Sequence, residues 1–253
     1  MRILVTNDDG IHAPGIALLE EIAHAISDDV WVCAPSDNQT GAGHSLTLSM
    51  PVRMRKHTDR RFSVTGTPTD AVNIGLKQVL DSPPDLLLSG INAGANLGDD
   101  ITYSGTVSAA MEGALAGVKS IALSQVMTRE RPPSGDRFDA ARGWAEKVIR
   151  LMLDVPFAPR TLVTVNFPWC DAKDVSGVRV VRQGFHDYAR SSVVEAHDPR
   201  GFPYYWFGLD AIENTPDHGT DLEAIEGNAI SVTPLQLDLT HHASLERLGE
   251  CFG

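Results

Sequence analysis

The run Ile3-Leu4-Val5-Thr6-Asn7-Asp8-Asp9-Gly10 decides the fold. Its apolar start predicts a short buried strand, and the acidic, glycine-ended sequence that follows predicts a turn. Apolar residues then recur at helical spacing over residues 15–26, so we predict an amphipathic helix there. A buried strand followed by a helix is the first half of a parallel β/α unit.

The same alternation continues through residue 165. We predict further strands at 30–34, 86–89, 121–123 and 162–165, and further helices at 69–80, 104–116 and 138–153. Short apolar strands alternating with amphipathic helices indicate an α/β protein with a doubly wound, mostly parallel sheet.

Two regions depart from this pattern. Residues 46–65 are β-like and rich in charge, which predicts a hairpin standing off the sheet. Strand-like stretches at 178–181, 204–207 and 230–232 are separated by long polar segments such as 210–227, which indicates an extended arm or small β region. For the aromatic run 204–207 we favour packing on a partner subunit or on the chain's own core over a platform for a ligand.

The composition excludes several classes of protein. The 253 residues are 42% apolar, which is enough to bury a core, so a disordered chain is excluded. With 21 Lys and Arg against 33 Asp and Glu, the net charge of −12 argues against binding a nucleic-acid polymer through its phosphates. A small phosphorylated ligand stays possible, because a metal ion or a local pocket can outweigh the overall field.

The cysteines and the hydropathy pattern predict a cytoplasmic location. Three widely spaced cysteines without a CxxC motif suit a reducing compartment. The N-terminal segment does not have the pattern of a signal peptide, and no apolar run reaches the length of a membrane span, so we expect no membrane partner.

Oxygen-bearing side chains follow three of the predicted strands. In a doubly wound sheet, ligands bind beyond the carboxyl ends of the strands, so these groups should meet at one edge. Carboxylate, hydroxyl and amide oxygens suit Mg²⁺ or Mn²⁺. Taken alone, Asp8-Asp9-Gly10 also fits a simple turn, and only the convergence of three loops favours a metal site. The three groups are Asn7, Asp8 and Asp9; then Ser36, Asp37, Asn38, Gln39 and Thr40; then Ser89, Asn92 and Asn96.

Ser104-Gly105-Thr106 opens a predicted helix directly after the third of these loops. Free backbone N–H groups and the helix dipole make such a position an anion site, and the two hydroxyls add donors. The alternative is an ordinary N-cap serine. Beside a metal site, a phosphate cradle is the better interpretation.

Motifs of other enzyme classes are absent from the sequence. There is no GxGxxG after the first strand, no GxxxxGK[ST] and no GxSxG, which disfavours NAD binding, a P-loop NTPase and a serine esterase. The pair His241-His242 is a weak metal signal, because adjacent side chains point apart.

Longer motifs occur in a specific order and spacing along nearly the whole chain, and together they resemble the stationary-phase survival protein (SurE) family of metal-dependent nucleotidases. The motifs are Asn7-Asp8-Asp9-Gly10 with 12–15, 34–35 with 39–41 and 45–47, 66–70, 89–98, 103–107 with 110–113, and the later stretches 166–168, 219–221 and 231–235.

The resemblance implies a Rossmann-like core and hydrolysis of nucleoside 5′- and 3′-monophosphates; some relatives also trim short polyphosphate. It implies one divalent ion per subunit, Mg²⁺ or Mn²⁺, held by Asp8, Asp9, Thr40 and Asn92. Asp8 and Asp9 are also the catalytic candidates. Position 40 is usually serine in the family; threonine keeps the oxygen but restricts χ1. The implied phosphate site is Asn96, Ser104, Gly105 and Thr106.

The resemblance also implies a homodimer or homotetramer. We therefore expect a single domain over 1–253, with a Rossmann-like core at 1–170, the hairpin at 46–65 and an oligomerisation arm at 185–235. Two alternatives remain: a metal- or nucleotide-binding stress regulator with little catalysis and, less favoured, a sugar-nucleotide transferase, for which no acceptor domain is apparent.

Overall fold

The computed structural model describes residues 1–128, 134–186, 191–209 and 219–252. It confirms the α/β architecture. The strands are β1 Arg2–Thr6, β2 Asp29–Pro35, β3 Met54–Thr58, β4 Arg61–Val64, β5 Leu86–Ala93, β6 Lys119–Gln125, β7 Thr161–Phe167, β8 Gly177–Val180, β9 Ser191–His197, β10 Pro203–Leu209 and β11 Ala229–Gln236. The helices are α1 Pro14–Ile26, α2 Pro68–Ile74, α3 Gly105–Leu115, α4 Asp139–Leu153, α5 Asp221–Glu226 and α6 His242–Phe252, with helical turns at Gly75–Val79, Gly98–Thr102 and Ala172–Asp174.

Nine strands form one sheet in the order β3-β4-β2-β1-β5-β6-β7-β11-β8. Within this order, the six strands β4-β2-β1-β5-β6-β7 run parallel to one another. Numbered among themselves along the chain, these six have the order 3-2-1-4-5-6 of a doubly wound nucleotide-binding sheet. The strand order reverses between β1 and β5, and this switch point is where such folds open a crevice for ligands.

Helices cover both faces of the sheet and bury two apolar clusters. Because side chains alternate along a strand, β1 sends Ile3 and Val5 to the cluster under α1 and α4, and Leu4 to the cluster under α2 and α3. Both faces of the sheet are therefore buried. Because the strands are packed on both sides, the loops at their ends start from fixed positions along one edge.

The hairpin predicted at 46–65 forms over β3 and β4, but it does not stand off the sheet. Strand β4 pairs in parallel with β2, and β3 closes that edge. The reason is burial: Phe62 and Val64 belong to the apolar cluster under α2 and α3. A separate antiparallel ribbon is formed instead by β9 and β10.

Part of the predicted C-terminal arm at 185–235 belongs to the main sheet. Strand β11 lies inside the main sheet, antiparallel to β7 and parallel to β8. Its Ile230 and Val232 are buried in the cluster under α1 and α4, which explains the placement. The core thus extends past residue 170. Of the arm, 187–190 and 210–218 lie outside the described residues.

The structure changes one predicted helix boundary and adds one helix. The N-cap of α2 is Thr67, whose hydroxyl accepts from the N–H of Asp70 while the Asp70 carboxylate accepts from the Thr67 N–H. This capping box starts the helix before the predicted Thr69. Helix α6 was not predicted, and none of its residues is buried. No helix in the described ranges is long and apolar enough to cross a membrane.

Candidate metal and phosphate site

The predicted site residues lie at the switch point of the sheet. Strands β1 and β5 pair with Thr6 opposite Ser89, so the loop after β1 and the end of β5 are neighbours. Asp8 and Asp9 follow β1, and Asn92 is the second-last residue of β5. The parallel pairing therefore places three of the four predicted metal ligands at one edge.

Asp8 is buried against the first turn of α3. The Thr106 hydroxyl donates to Oδ1 of Asp8. Burial raises the pKa of Asp8 to about 6, the Thr106 hydrogen bond opposes that shift, and the neighbouring Asp9 adds to it. A carboxylate held in this way gains much from a bound cation, which would offset its desolvation.

Gly105 allows the helix to come this close. A Cβ atom at Gly105 would lie 2.7 Å from Cβ of Asp8 and 2.9 Å from its Oδ2. These distances are shorter than van der Waals contact permits. The lack of a side chain at Gly105 therefore allows Asp8 and the first turn of α3 to pack in contact.

Asp9 connects two other loops. Its Oδ2 accepts from the Ala93 N–H at 3.1 Å, and its Oδ1 lies 3.5 Å from Nδ2 of Asn38. Asn38 in turn accepts from the hydroxyl of Thr40 at 2.6 Å and from its N–H at 2.8 Å. Asp9 and Thr40 thus share Asn38 as a common neighbour. The sequence places Asn38 among the oxygen-bearing residues of this edge but not among the four predicted ligands.

The loop of Thr40 is attached to the segment around α3. The Gly43 N–H donates to the Tyr103 carbonyl at 3.2 Å. One residue further on, Nε2 of His44 lies 3.0 Å from Oε2 of Glu112, and this contact lowers the pKa of the Glu112 carboxyl. The loop that carries the predicted hydroxyl ligand is therefore docked on the helix that begins with the predicted phosphate site.

Asn92 donates through Nδ2 to the Gly94 carbonyl at 3.0 Å. An amide that donates in this way keeps its carbonyl oxygen as the atom that can ligate a hard cation. The geometry suits its predicted role.

The predicted phosphate residues begin α3 or precede it. Ser104 is the N-cap, with its hydroxyl accepting from the Val107 N–H at 3.0 Å. Ser104 is therefore an ordinary N-cap, and the helix that it caps has its N-terminus against Asp8, where an anion site was predicted. Asn96 is buried, and its Nδ2 donates to the Ser124 hydroxyl at 2.7 Å.

The donor chemistry fits a hard divalent cation. The described residues contain no group of three or more His, Cys, Asp or Glu side chains able to hold a metal, so a site here must rest on two carboxylates with neutral oxygens. In the same part of the chain, the buried oxygens Thr6 Oγ1, Asn7 Oδ1 and Ser89 Oγ have no hydrogen-bond partner. Unpaired buried oxygens at the ends of the paired strands β1 and β5 fit an oxygen-rich cation site at this edge.

A cavity of about 430 Å³ opens beside Asp9. Its lining includes His12, Ser36 and Asn38. The ring of His12 meets that of His57 edge to face at 5.7 Å, and burial lowers the pKa of His57.

Fold and site together define a class: an α/β protein with acidic residues at the switch point of a doubly wound sheet, facing a helix N-terminus. Residues 3–190 match the family model described as Survival protein SurE, and the chain belongs to that family. A protein of Erythrobacter litoralis named 5′-nucleotidase SurE is 64% identical over all of both chains. One of that name from Rhizorhabdus wittichii is 56% identical over 97% of each. The crystal structure of the SurE protein of Aquifex aeolicus matches over the full length of both chains, with a TM-score of 0.86 and 37% identity.

Proposed function

We propose that this chain is a metal-dependent phosphatase that hydrolyses nucleoside 5′-monophosphates, and also 3′-monophosphates, to nucleoside and phosphate. The observation that carries the proposal is Asp8, buried at the switch point and bonded to Thr106 in the first turn of α3. The relatives named 5′-nucleotidase supply the substrate class.

Asp8, Asp9, Thr40 and Asn92 would hold one Mg²⁺ or Mn²⁺ ion. Such an ion would neutralise phosphoryl charge and would lower the pKa of a bound water. Asp8 would orient or activate the attacking water. Alternatively it would attack the phosphorus itself, in which case the nucleoside leaves and water then cleaves the aspartyl phosphate. Asp9 connects the end of β5 with the loop after β2 through Ala93 and Asn38. Most of the acceleration would come from positioning and electrostatic stabilisation, as in other phosphoryl transfers.

Asn96, Ser104, Gly105 and Thr106 would take the phosphate. The N–H groups at the start of α3 suit an anion. The carboxylate of Asp8 lies at the same helix end, where it accepts a hydrogen bond from the Thr106 hydroxyl. The loop between β5 and α3 would add Asn96 to the phosphate site. Since the chain has a net charge of −12, binding of a phosphate dianion depends on this local arrangement and on the ion.

We also propose that the protein acts in the cytoplasm as a homodimer or homotetramer. The β9–β10 ribbon exposes Trp206 and Phe207, 65% and 85% accessible, so this aromatic run does not pack on the chain's own core. Helix α6 likewise exposes Leu245, Leu248 and Phe252. Apolar surface of this extent in one chain is typical of an interface between subunits.

The test is phosphate release from a panel of 5′- and 3′-nucleoside monophosphates with Mg²⁺, Mn²⁺ or EDTA. We expect release from both the 5′ and the 3′ substrates with metal and none with EDTA, because the carboxylates at the site need the ion to accept a phosphate. Persistent inactivity with every ion, with nucleotide still bound, would support the regulator instead. Release that EDTA leaves unchanged would contradict metal dependence.

A further inference from the structure

Two buried side chains from distant parts of the chain hold the loop between β5 and α3. This loop carries Asn96 and leads to Ser104. Its first half is held by Asn166 at the end of β7 and by Asp221 at the start of α5. Neither residue belongs to the metal or phosphate set described above.

Asn166 holds the backbone of Asn96 through two hydrogen bonds. The Asn96 N–H donates to Oδ1 of Asn166 at 2.8 Å, and Nδ2 of Asn166 donates to the Asn96 carbonyl at 3.1 Å. Asn166 is 1% exposed. One amide thus satisfies the donor and the acceptor of the same residue, as a neighbouring strand would. With Ser124 holding the Asn96 side chain, both parts of Asn96 are fixed.

Asp221 holds the loop two residues further on. Its Oδ2 accepts from the Gly98 N–H at 2.9 Å, and its Oδ1 accepts from the Gly184 N–H at 2.7 Å. The Gly98 carbonyl accepts from Nε2 of Gln183 at 2.9 Å. Gly98 has a φ of +52°, a conformation that favours glycine. Asp221 is 1% exposed, so its hydrogen bonds are shielded from water.

We propose that Asn166 and Asp221 are positioning residues that set the phosphate site by fixing the loop at Asn96 and Gly98. The proposal rests on the proposed function for the identity of that site. Side chains from outside the loop pair with the backbone N–H and C=O of both Asn96 and Gly98. A loop held in this way presents Asn96 to the phosphate in one position, which lowers the entropy cost of binding.

The test uses two variants of nearly unchanged size, Asn166→Asp and Asp221→Asn. The first removes the donor to the Asn96 carbonyl; the second puts an amide where a carboxylate accepted N–H groups. The two substitutions change the net charge in opposite directions, so a shared effect cannot come from charge. We expect both to raise KM for AMP and the dissociation constant of inorganic phosphate on Mn²⁺-loaded protein by about tenfold or more, with Mn²⁺ affinity within about threefold of wild type.

The matched control is Asp171→Asn. Asp171 is a buried carboxylate that accepts a backbone N–H, from Ser134 at 3.0 Å, outside this loop. We expect it to lower thermal stability without changing phosphate binding. If Asp221→Asn does not fold, Gln183→Leu removes the hydrogen bond to the Gly98 carbonyl with no change in buried charge, and should weaken phosphate in the same direction.

Folded variants that bind phosphate as tightly as wild type would overturn the proposal. An equal loss of phosphate affinity in Asp171→Asn would overturn it as well. Weakened Mn²⁺ binding in step with phosphate would also overturn it, because the loop would then act on the whole site. A wild type that binds phosphate but hydrolyses no AMP refutes the proposed function alone, and the variants still decide the positioning role. A wild type that binds no phosphate refutes both.

Discussion

Asp8 is a carboxyl group whose surroundings disfavour its charge. Burial raises its pKa to about 6, although the Thr106 hydroxyl opposes the shift. In the metal-free protein at neutral pH, this ionised carboxylate therefore costs stability. A bound cation would remove that cost, so the same residue that weakens the metal-free fold should favour loading of the ion.

Asp8→Asn should stabilise the metal-free protein at pH 7.5. The folded pKa lies above the unfolded value of 3.8, so the burial penalty is complete above about pH 6. It fades as pH falls toward 3.8 and is absent below, where both states are protonated. We expect a gain on the order of 2–3 kcal/mol at pH 7.5, from a shift of about two pKa units, and almost none at pH 3.5. Chemical denaturation in EDTA at both pH values measures this.

Added Mn²⁺ provides the control for that experiment. It should raise the Tm of wild type more than that of Asp8→Asn, since the variant offers a neutral oxygen in place of a carboxylate. An equal gain in stability at both pH values would show that the charge of Asp8 is not the cause.

Some site residues could be predicted because they sit next to sequence signals. Asp8 and Asp9 directly follow an apolar strand, and Ser104 precedes a helix, so their positions at the sheet edge follow from the pattern. Asn166 and Asp221 could not be assigned a role in this way. They reach Asn96 and Gly98 across 70 and 123 residues of chain, and single-sequence periodicity contains no information on such pairs.

Among the elements, α3 is the one whose approach defines the site. Replacing Gly105 by alanine should displace Asp8 or the first turn of α3, because the new Cβ would lie 2.7 Å from Cβ of Asp8. We expect Mn²⁺ affinity to fall about tenfold or more, as measured by titration calorimetry.

The matched control is Gly249→Ala in α6, where a Cβ would meet no atom within 4 Å. Alanine favours a helix over glycine, so this variant should keep Mn²⁺ affinity and lose no stability. An unchanged affinity in Gly105→Ala would mean that the close approach of α3 is not needed.

The positions of strands and helices along the chain were easier to predict than the order of the strands in the sheet. The apolar run at 230–232 predicted a strand, and β11 forms there. Its position between β7 and β8 depends on which open edge offers apolar contacts, which local pattern does not encode. For the same reason the charges of 46–65 suggested a protruding hairpin, although Phe62 and Val64 bind it to the sheet.

For the whole molecule, the exposed ribbon predicts self-association. The double variant Trp206→Ser/Phe207→Ser removes apolar surface from β10 and should shift the wild-type oligomer toward monomer. Sedimentation velocity over a range of concentrations measures this. Leu151→Ser, at an exposed position of α4, is the control and should leave the mass unchanged. A wild type that is monomeric throughout would contradict the prediction.

The acidic character of the molecule is compatible with an anionic substrate because two of its negative charges lie at the predicted ion site. Asp8 and Asp9 would be neutralised by a divalent cation, which turns a repulsive pocket into an attractive one. The overall charge of −12 thus argues against binding a polyanion by bulk attraction, and the proposed site would still take one small phosphate ester.

The most direct test of this account is turnover of AMP by Asp8→Asn, with Mn²⁺ occupancy measured separately. At Mn²⁺ concentrations that saturate the variant, we predict a kcat at least about 100-fold below wild type, since the carboxylate at the reacting phosphate is lost. Wild-type turnover by the metal-loaded variant would contradict the central role of Asp8.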